Sequence, residues 1–292
     1  MIDFKGIVAA ILTPFDDDDK VDLEYMKKHI RFIEEKGVQG IVPSGTNGEF
    51  PSLLLEERKQ IIETCAKNKG KLFMVAGTGT DNLSETLELT KFAESVGTDA
   101  VMVVPPYFLT FAPEQGLIEY YKRVFDAVSV PIFLYNIPGC SGIKITDDMV
   151  HALEHYPHLA GIKDSSGDLA NTVHYVKAFP KLKIFVGNDH QVLAALTEGA
   201  VGHITGMPNA LPELTTALYE AFIAGEDAGE HQLRLSMTRR IISCFPEFGV
   251  NKYVLSLRGF PLRYSRLPLL DMTEEQKAEF KKLMQAHGLW NF

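Results

Sequence analysis

A chain of 292 residues that is 46% apolar and 23% charged, with a mean hydropathy of -0.01, can bury a sizeable core and carries no disordered or fibrous bias. Its formal charge of -9 gives no basic field for nucleic acid or anionic lipid, so an acidic substrate has to be held by local donors. Three widely spaced cysteines, Cys65, Cys140 and Cys244, form no CxxC pair, which argues against a disulfide framework and a structural zinc site and points to a reducing, cytoplasmic setting.

Taken in chain order, the first apolar run, Ile7 to Phe15, is too short to span a bilayer. Asp16 to Asp19 follow it where an export signal would have a cleavage site. It is instead the first of eight short apolar runs, at 6–15, 40–45, 72–79, 100–107, 131–138, 159–167, 183–189 and 202–206. Amphipathic stretches lie between them. Those at 23–37, 55–70 and 83–97 have apolar residues at helical spacing and glycine at the stop.

One strand-helix unit recurs every 25 to 30 residues or so, as in a closed parallel barrel. The expected fold is α/β, a (β/α)8 TIM barrel over residues 1–229. Residues 230–292 read as helices without strands, a C-terminal helical extension packed on the barrel. A doubly wound open sheet is the competing architecture, but no GxGxxG opens the first helix.

In such a barrel the chemistry sits where an apolar strand turns polar at its C-terminal end. Lys71 and Lys183 precede or begin strands, on the opposite face, and Lys144 follows a loop. Lys163 differs, because it follows Leu159-Ala-Gly-Ile within a strand and precedes Asp164-Ser-Ser-Gly167. A desolvated lysine favours its neutral amine, the form that attacks a carbonyl to give a Schiff base. The bland alternative is a structural ion pair with Asp164.

Tyr135 ends the neighbouring strand in FLYNIPG, where a phenol can move protons during imine formation. Its alternative is a core tyrosine with a satisfied hydroxyl. The loop from Ser44 to Phe50 sets Gly45 and Gly48 around Thr46 and Asn47, so its backbone N–H groups can cradle a carboxylate while Thr46 relays protons to Tyr135. An ordinary glycine-rich turn has the same composition.

GTNGEF (45–50), YNIPG (135–139) and GIKDSSGD (161–168), with KGIVAAILTPF, VVPPYF, VGND and RLPLLDMTEEQ elsewhere, resemble the dihydrodipicolinate synthase / N-acetylneuraminate lyase family of pyruvate-dependent class I aldolases. The resemblance covers nearly the whole chain. It implies Lys163 as the Schiff-base residue, Tyr135 as proton donor and acceptor, Thr46 and Asn47 around the keto acid's carboxylate, and Ile204 in the pyruvate pocket. It also implies Tyr107, Ser165, Gly187 and Asp189 as substrate contacts, no metal or other cofactor beyond the covalent imine, and a homotetramer.

Departures from the family pattern narrow the substrate. Cys140 stands where the synthases usually carry an arginine for the second substrate's carboxylate, and Phe108 stands at the second position of their tyrosine pair. The YNIPxxSG form and Ser165 resemble the sugar-acid aldolase branch. His190 and Gly206, however, differ from the acidic residue and serine of the sialic acid lyases. The implied substrate is a 2-keto-3-deoxy sugar acid or related hydroxy-keto acid, cleaved to or formed from pyruvate and an aldehyde; dihydrodipicolinate synthesis from pyruvate and aspartate semialdehyde is the alternative.

Other classes fit less well. A metal-dependent aldolase needs clustered ligands, and only His203 and Asp189 lie near the barrel mouth, with His151 and His155 sharing a solvent-facing helix side. A phosphate site at Gly187 and 202–206 would lack a basic residue. A catalytically inactive keto-acid-binding barrel is the remaining reading.

Overall fold

The computed structural model describes residues 2–290. Eight parallel strands close in sequence order: β1 (Gly6–Ala10), β2 (Gly40–Val42), β3 (Phe73–Gly77), β4 (Ala100–Val103), β5 (Ile132–Asn136), β6 (Leu159–Asp164), β7 (Lys183–Val186) and β8 (Gly202–Thr205). β8 returns to β1, pairing Ile204 with Val8, so the open-sheet alternative is excluded.

Alternation along each strand separates two apolar compartments. Val8, Ala10, Val75, Met102, Phe133, Phe185 and Ile204 fill the barrel interior, closed at its N-terminal end by Phe4 against Phe73 and Phe133, each 5.3 Å away between ring centroids. The opposite faces pack beneath the helices, and this larger core includes Ile7, Ile41, Met74, Val101 and Ile162.

The helices at Leu23–Glu35, Leu55–Asn68 and Leu83–Ser95 end just before Gly37, Gly70 and Gly97, all at positive φ, which glycine adopts without steric penalty. The expected strands begin within one residue of the observed ones but run too far at their C-terminal ends. The first stops at Ala10 and not at residue 15, the fourth at Val103 and not at residue 107. Apolarity continues past the ladder because the loops at the barrel mouth are themselves packed: Ile11, Leu12, Phe15 and Val104 are buried.

Three helices follow the barrel, at Gly229–Ile242, Glu247–Leu257 and Glu274–Ala286. The first packs on the helix Pro212–Ala224 and on the last. A single bridge between Phe15 and Tyr264 ties the segment before the last helix to the first barrel loop. No described helix is long and apolar enough to cross a membrane.

Candidate active site

Strand register brings Tyr135 of β5 opposite Lys163 of β6, and Phe185 of β7 lies opposite Lys163 on the other side. Period-two alternation turns Lys163 into the barrel and Asp164 out of it. Gly161, two residues earlier on the inner face, has no room for a side chain, since a Cβ there would sit 2.0 Å from the Lys183 carbonyl oxygen. Its absence admits the Phe133 ring, which packs 5.8 Å from that of Phe185.

Lys163 is 3% exposed, and its Nζ donates to the Tyr135 hydroxyl at 3.1 Å. That hydroxyl lies 3.1 Å from Thr46 Oγ1. A continuous hydroxyl relay therefore joins the amine to the loop after β2. The expected alternative of a Lys163–Asp164 ion pair does not occur. Asp164 instead accepts from Asn136 Nδ2 at 2.7 Å, Thr172 Oγ1 at 2.6 Å and Ser166 Oγ at 3.0 Å, on the outer face.

Thr46 and Asn47 open a short 3-10 turn, Thr46–Gly48, whose first internal bond runs from Gly48 N to Gly45 O. Their own N–H groups precede that bond, at the turn's open end. Ser44 and Glu49, at either side of the turn, are both left-handed, with φ of 56° and 57°. Arg58 reaches Ser44 Oγ through Nε at 2.7 Å and the Gly77 carbonyl through Nη2 at 3.0 Å, while Lys252 Nζ donates to Glu49 Oε1 at 2.6 Å.

A cavity of about 350 Å³ opens over Lys163, a size that suits a small metabolite. Eight of the ten residues expected from sequence line it: Lys163, Tyr135, Thr46, Asn47, Ser165, Gly187, Asp189 and Ile204. Gly45 lies behind the relay in a smaller cleft shared with Arg58 and Tyr135. Tyr107 is outside the cavity, half-buried with its ring 5.7 Å from Phe50, and the next residue, Phe108, adopts a left-handed φ of 70°.

Two glycines of the lining are explained by their neighbours. A Cβ at Gly206 would fall 2.3 Å from Asn47 Oδ1, and one at Gly187 would fall 2.0 Å from Ser165 Oγ. Each gap is filled by the polar side chain opposite it. Cys140 is exposed and outside the lining; of the two histidines expected on one helix, His155 lies beyond the helix Asp147–Leu153, and both it and His151 are exposed.

Arg239, Ser243 and Glu247 also line the cavity, and sequence reasoning missed them. They come from the C-terminal helices, where a charged residue at every turn reads as a solvated face, and nothing in the run Arg239-Arg240 distinguishes the two. Gln232, two turns before Arg239, donates from Nε2 to the Asp189 carbonyl at 2.8 Å and fixes this helix to the loop after β7.

Asp189 is fully buried, and desolvation raises its carboxyl from 3.8 to about 6 against the opposing pull of Arg239, of the Thr205 hydroxyl at 2.8 Å and of Lys163. His203 Nε2 lies 3.4 Å from Asp189 Oδ1 without a hydrogen bond, and burial, with Lys163 adding to it, pushes this imidazole down to about 3. The pair is therefore not an ion pair at neutral pH. Among the described residues no three His, Cys, Asp or Glu side chains gather as a metal site.

The sequence model of the Dihydrodipicolinate synthetase family matches residues 3–287. An uncharacterized DapA-like lyase of Chloroflexus aurantiacus is 34% identical, with 96% of each chain covered. The 4-hydroxy-tetrahydrodipicolinate synthase of Caldicellulosiruptor bescii is 31% identical over 98% of both chains. Among solved structures, YagE, a prophage protein of the dihydrodipicolinic acid synthase family from E. coli K12 in complex with pyruvate, superposes with a TM-score of 0.92 at 28% identity, covering 98% of this chain and 99% of its own.

Proposed function

The chain belongs to the dihydrodipicolinate synthetase family of pyruvate-dependent class I aldolases, and on that premise we propose that it cleaves or forms a 2-keto-3-deoxy sugar acid or related hydroxy-keto acid through an imine on Lys163. The observation that carries the reading is the relay from Lys163 Nζ through Tyr135 Oη to Thr46 Oγ1.

In this reading the neutral amine attacks the C2 carbonyl of the keto acid, whose carboxylate rests on the Thr46 and Asn47 N–H groups. Tyr135 delivers the proton that lets the carbinolamine oxygen leave as water, and Thr46 passes protons between Tyr135 and the substrate. The resulting iminium accepts the electron pair of the C3–C4 bond as the C4 hydroxyl loses its proton, so the aldehyde departs and an enamine remains. Protonation of the enamine and addition of water to the imine release pyruvate and restore the lysine. The reverse sequence joins pyruvate to an aldehyde.

Cys140 favours a hydroxylated aldehyde over aspartate semialdehyde, because a thiol offers no bidentate donor for a second carboxylate. Unpaired thiols at all three cysteines suit a cytoplasmic enzyme. A homotetramer is what the family resemblance implies, and Phe108 and Phe111, each 81% exposed on the loop after β4, offer apolar surface for a contact between copies. Light scattering is expected to give the mass of four chains, and a stable monomer would remove that assembly.

Intact-mass measurement after incubation with pyruvate and borohydride tests the mechanism. The expected product is one reduced pyruvate adduct per chain, absent from Lys163→Ala. An adduct that persists in the variant, or none in the native protein, rejects imine catalysis at Lys163 and leaves the inactive binding barrel. Condensation with aspartate semialdehyde at a rate comparable to the best sugar-derived aldehyde would instead favour the synthase.

A further inference from the structure

Arg239 projects from the helix Gly229–Ile242 into the side of the cavity beyond Asp189. Its Nη1 and Nη2 donate to Glu247 Oε1 and Oε2 at 2.5 and 2.8 Å, and its Nε faces Asp189 Oδ2 at 3.9 Å. Glu247 begins the next helix, and Ser243, one turn after Arg239, donates from Oγ to the Arg239 carbonyl at 2.8 Å while remaining exposed. Thr205 completes the set through its bond to Asp189.

A lone cavity arginine is ordinarily a carboxylate receptor. This one is already engaged. Glu247 occupies the end of its fork and Asp189 stands 3.9 Å before Nε, so a third carboxylate could reach the remaining side edge only beside the Asp189 carboxylate. Two carboxylates stand against one guanidinium, so an anionic tail meets net repulsion when Asp189 is ionised. Hydroxyl groups meet no such penalty: they donate to spare carboxylate lone pairs and to Ser243 Oγ, whose own proton is committed to the Arg239 carbonyl, and they accept from the outward guanidinium N–H groups.

We infer that Arg239, Glu247 and Ser243 form a specificity subsite that selects an aldehyde with an uncharged, hydroxylated tail and rejects one ending in a carboxylate. The inference rests on the imine reading and adds to it the distal chemistry of the substrate. Arg239 and Glu247 act here as binding groups, remote from the reacting C3–C4 bond.

Three four-carbon aldehydes isolate the tail: erythrose with hydroxyls, butanal with none, and succinic semialdehyde with a terminal carboxylate. Each is condensed with saturating pyruvate, kcat/KM for the aldehyde is read, and pyruvate trapping is measured alongside in every variant. The native protein is expected to prefer erythrose over both others by at least about tenfold, the discrimination that 1.4 kcal/mol supplies.

Glu247→Gln relieves the negative excess and frees the guanidinium, and should shift the succinic semialdehyde to erythrose ratio upward by about tenfold or more. Ser243→Ala leaves the ion pair intact and should lose several-fold on erythrose with no change on butanal. Trapped pyruvate together with an unchanged ratio in Glu247→Gln, or equal effects of Ser243→Ala on erythrose and butanal, overturns the subsite alone. Absence of a pyruvate adduct in the native protein overturns the imine reading and the subsite with it.

Discussion

Burial raises the Asp189 carboxyl to about 6 while Arg239, Lys163, Glu247 and the neutral His203 surround it, so its ionisation falls within reach of ordinary assay conditions. With Asp189 as the proposed substrate contact, its ionised form would accept a hydroxyl that the protonated form holds less well. For a hydroxylated aldehyde, kcat/KM is therefore expected to fall as pH drops from 7 through about 6, and Asp189→Asn should flatten this limb at a lower plateau. A native profile that stays level from pH 7 to 5 would count against Asp189 as a substrate contact.

The stability consequence has the opposite sign. A carboxyl with a folded value above its unfolded 3.8 contributes stability that is fully present below 3.8 and lost as pH rises through about 6, a difference of about 3 kcal/mol. The pocket thus holds a charge at neutral pH that the fold alone would discharge. Lys163 was legible in sequence because a polar residue interrupts an apolar strand at its end. Arg239 was not, because its partner Glu247 lies eight residues on, across a turn between helices, where no periodicity links them.

Between elements, the turn that carries Thr46 is gripped from two sides. Left-handed Ser44 and Glu49 each hold a conformation that costs about 1 kcal/mol or more for a residue with a side chain. Arg58 of the helix Leu55–Asn68 restrains the first and Lys252 of the helix Glu247–Leu257 the second. The Glu49–Lys252 pair is almost wholly buried, and desolvation dominates both groups, raising the carboxyl and lowering the amine despite their mutual attraction. Such a pair adds little net stability, but losing one member strands the other.

Lys252→Met is accordingly expected to destabilise the fold by about 3–5 kcal/mol at pH 7. The deficit should narrow on acidification, since an unpaired Glu49 with a raised folded value stabilises the fold only when protonated. Adding Glu49→Gln should recover part of the loss in denaturant melts. A single variant as stable as the native chain, or a double variant no better than the single, would show that the buried charge is not what matters. The glycine-rich turn was readable from GTNGEF, but its two clamps were not: Arg58 and Lys252 sit in amphipathic helices where a basic residue usually faces water.

For the molecule as a whole, eight apolar runs at regular spacing made barrel closure the natural reading, since parallel strands joined by helices need both faces covered and closure leaves no exposed edge. The boundary expected near residue 229 coincides with the start of a helix, yet interactions cross it in both chemistry and core. Gln232 and Arg239 reach the Asp189 loop, Lys252 reaches Glu49, and Arg266 Nη1 donates to Glu57 Oε2 at 2.8 Å. Leu235, Val250, Val254, Phe280 and Met284 belong to the same apolar cluster as Ile7 and Ile41. Segments that share one core lose it together, because exposing the extension strips apolar cover and charge partners from the barrel at once. Differential scanning calorimetry at fixed protein concentration should therefore show one cooperative transition for residues 1–229 and 230–292, shifted as a unit by Lys252→Met. Two separable transitions, with the earlier one alone moved by that variant, would make the extension an independently folding domain.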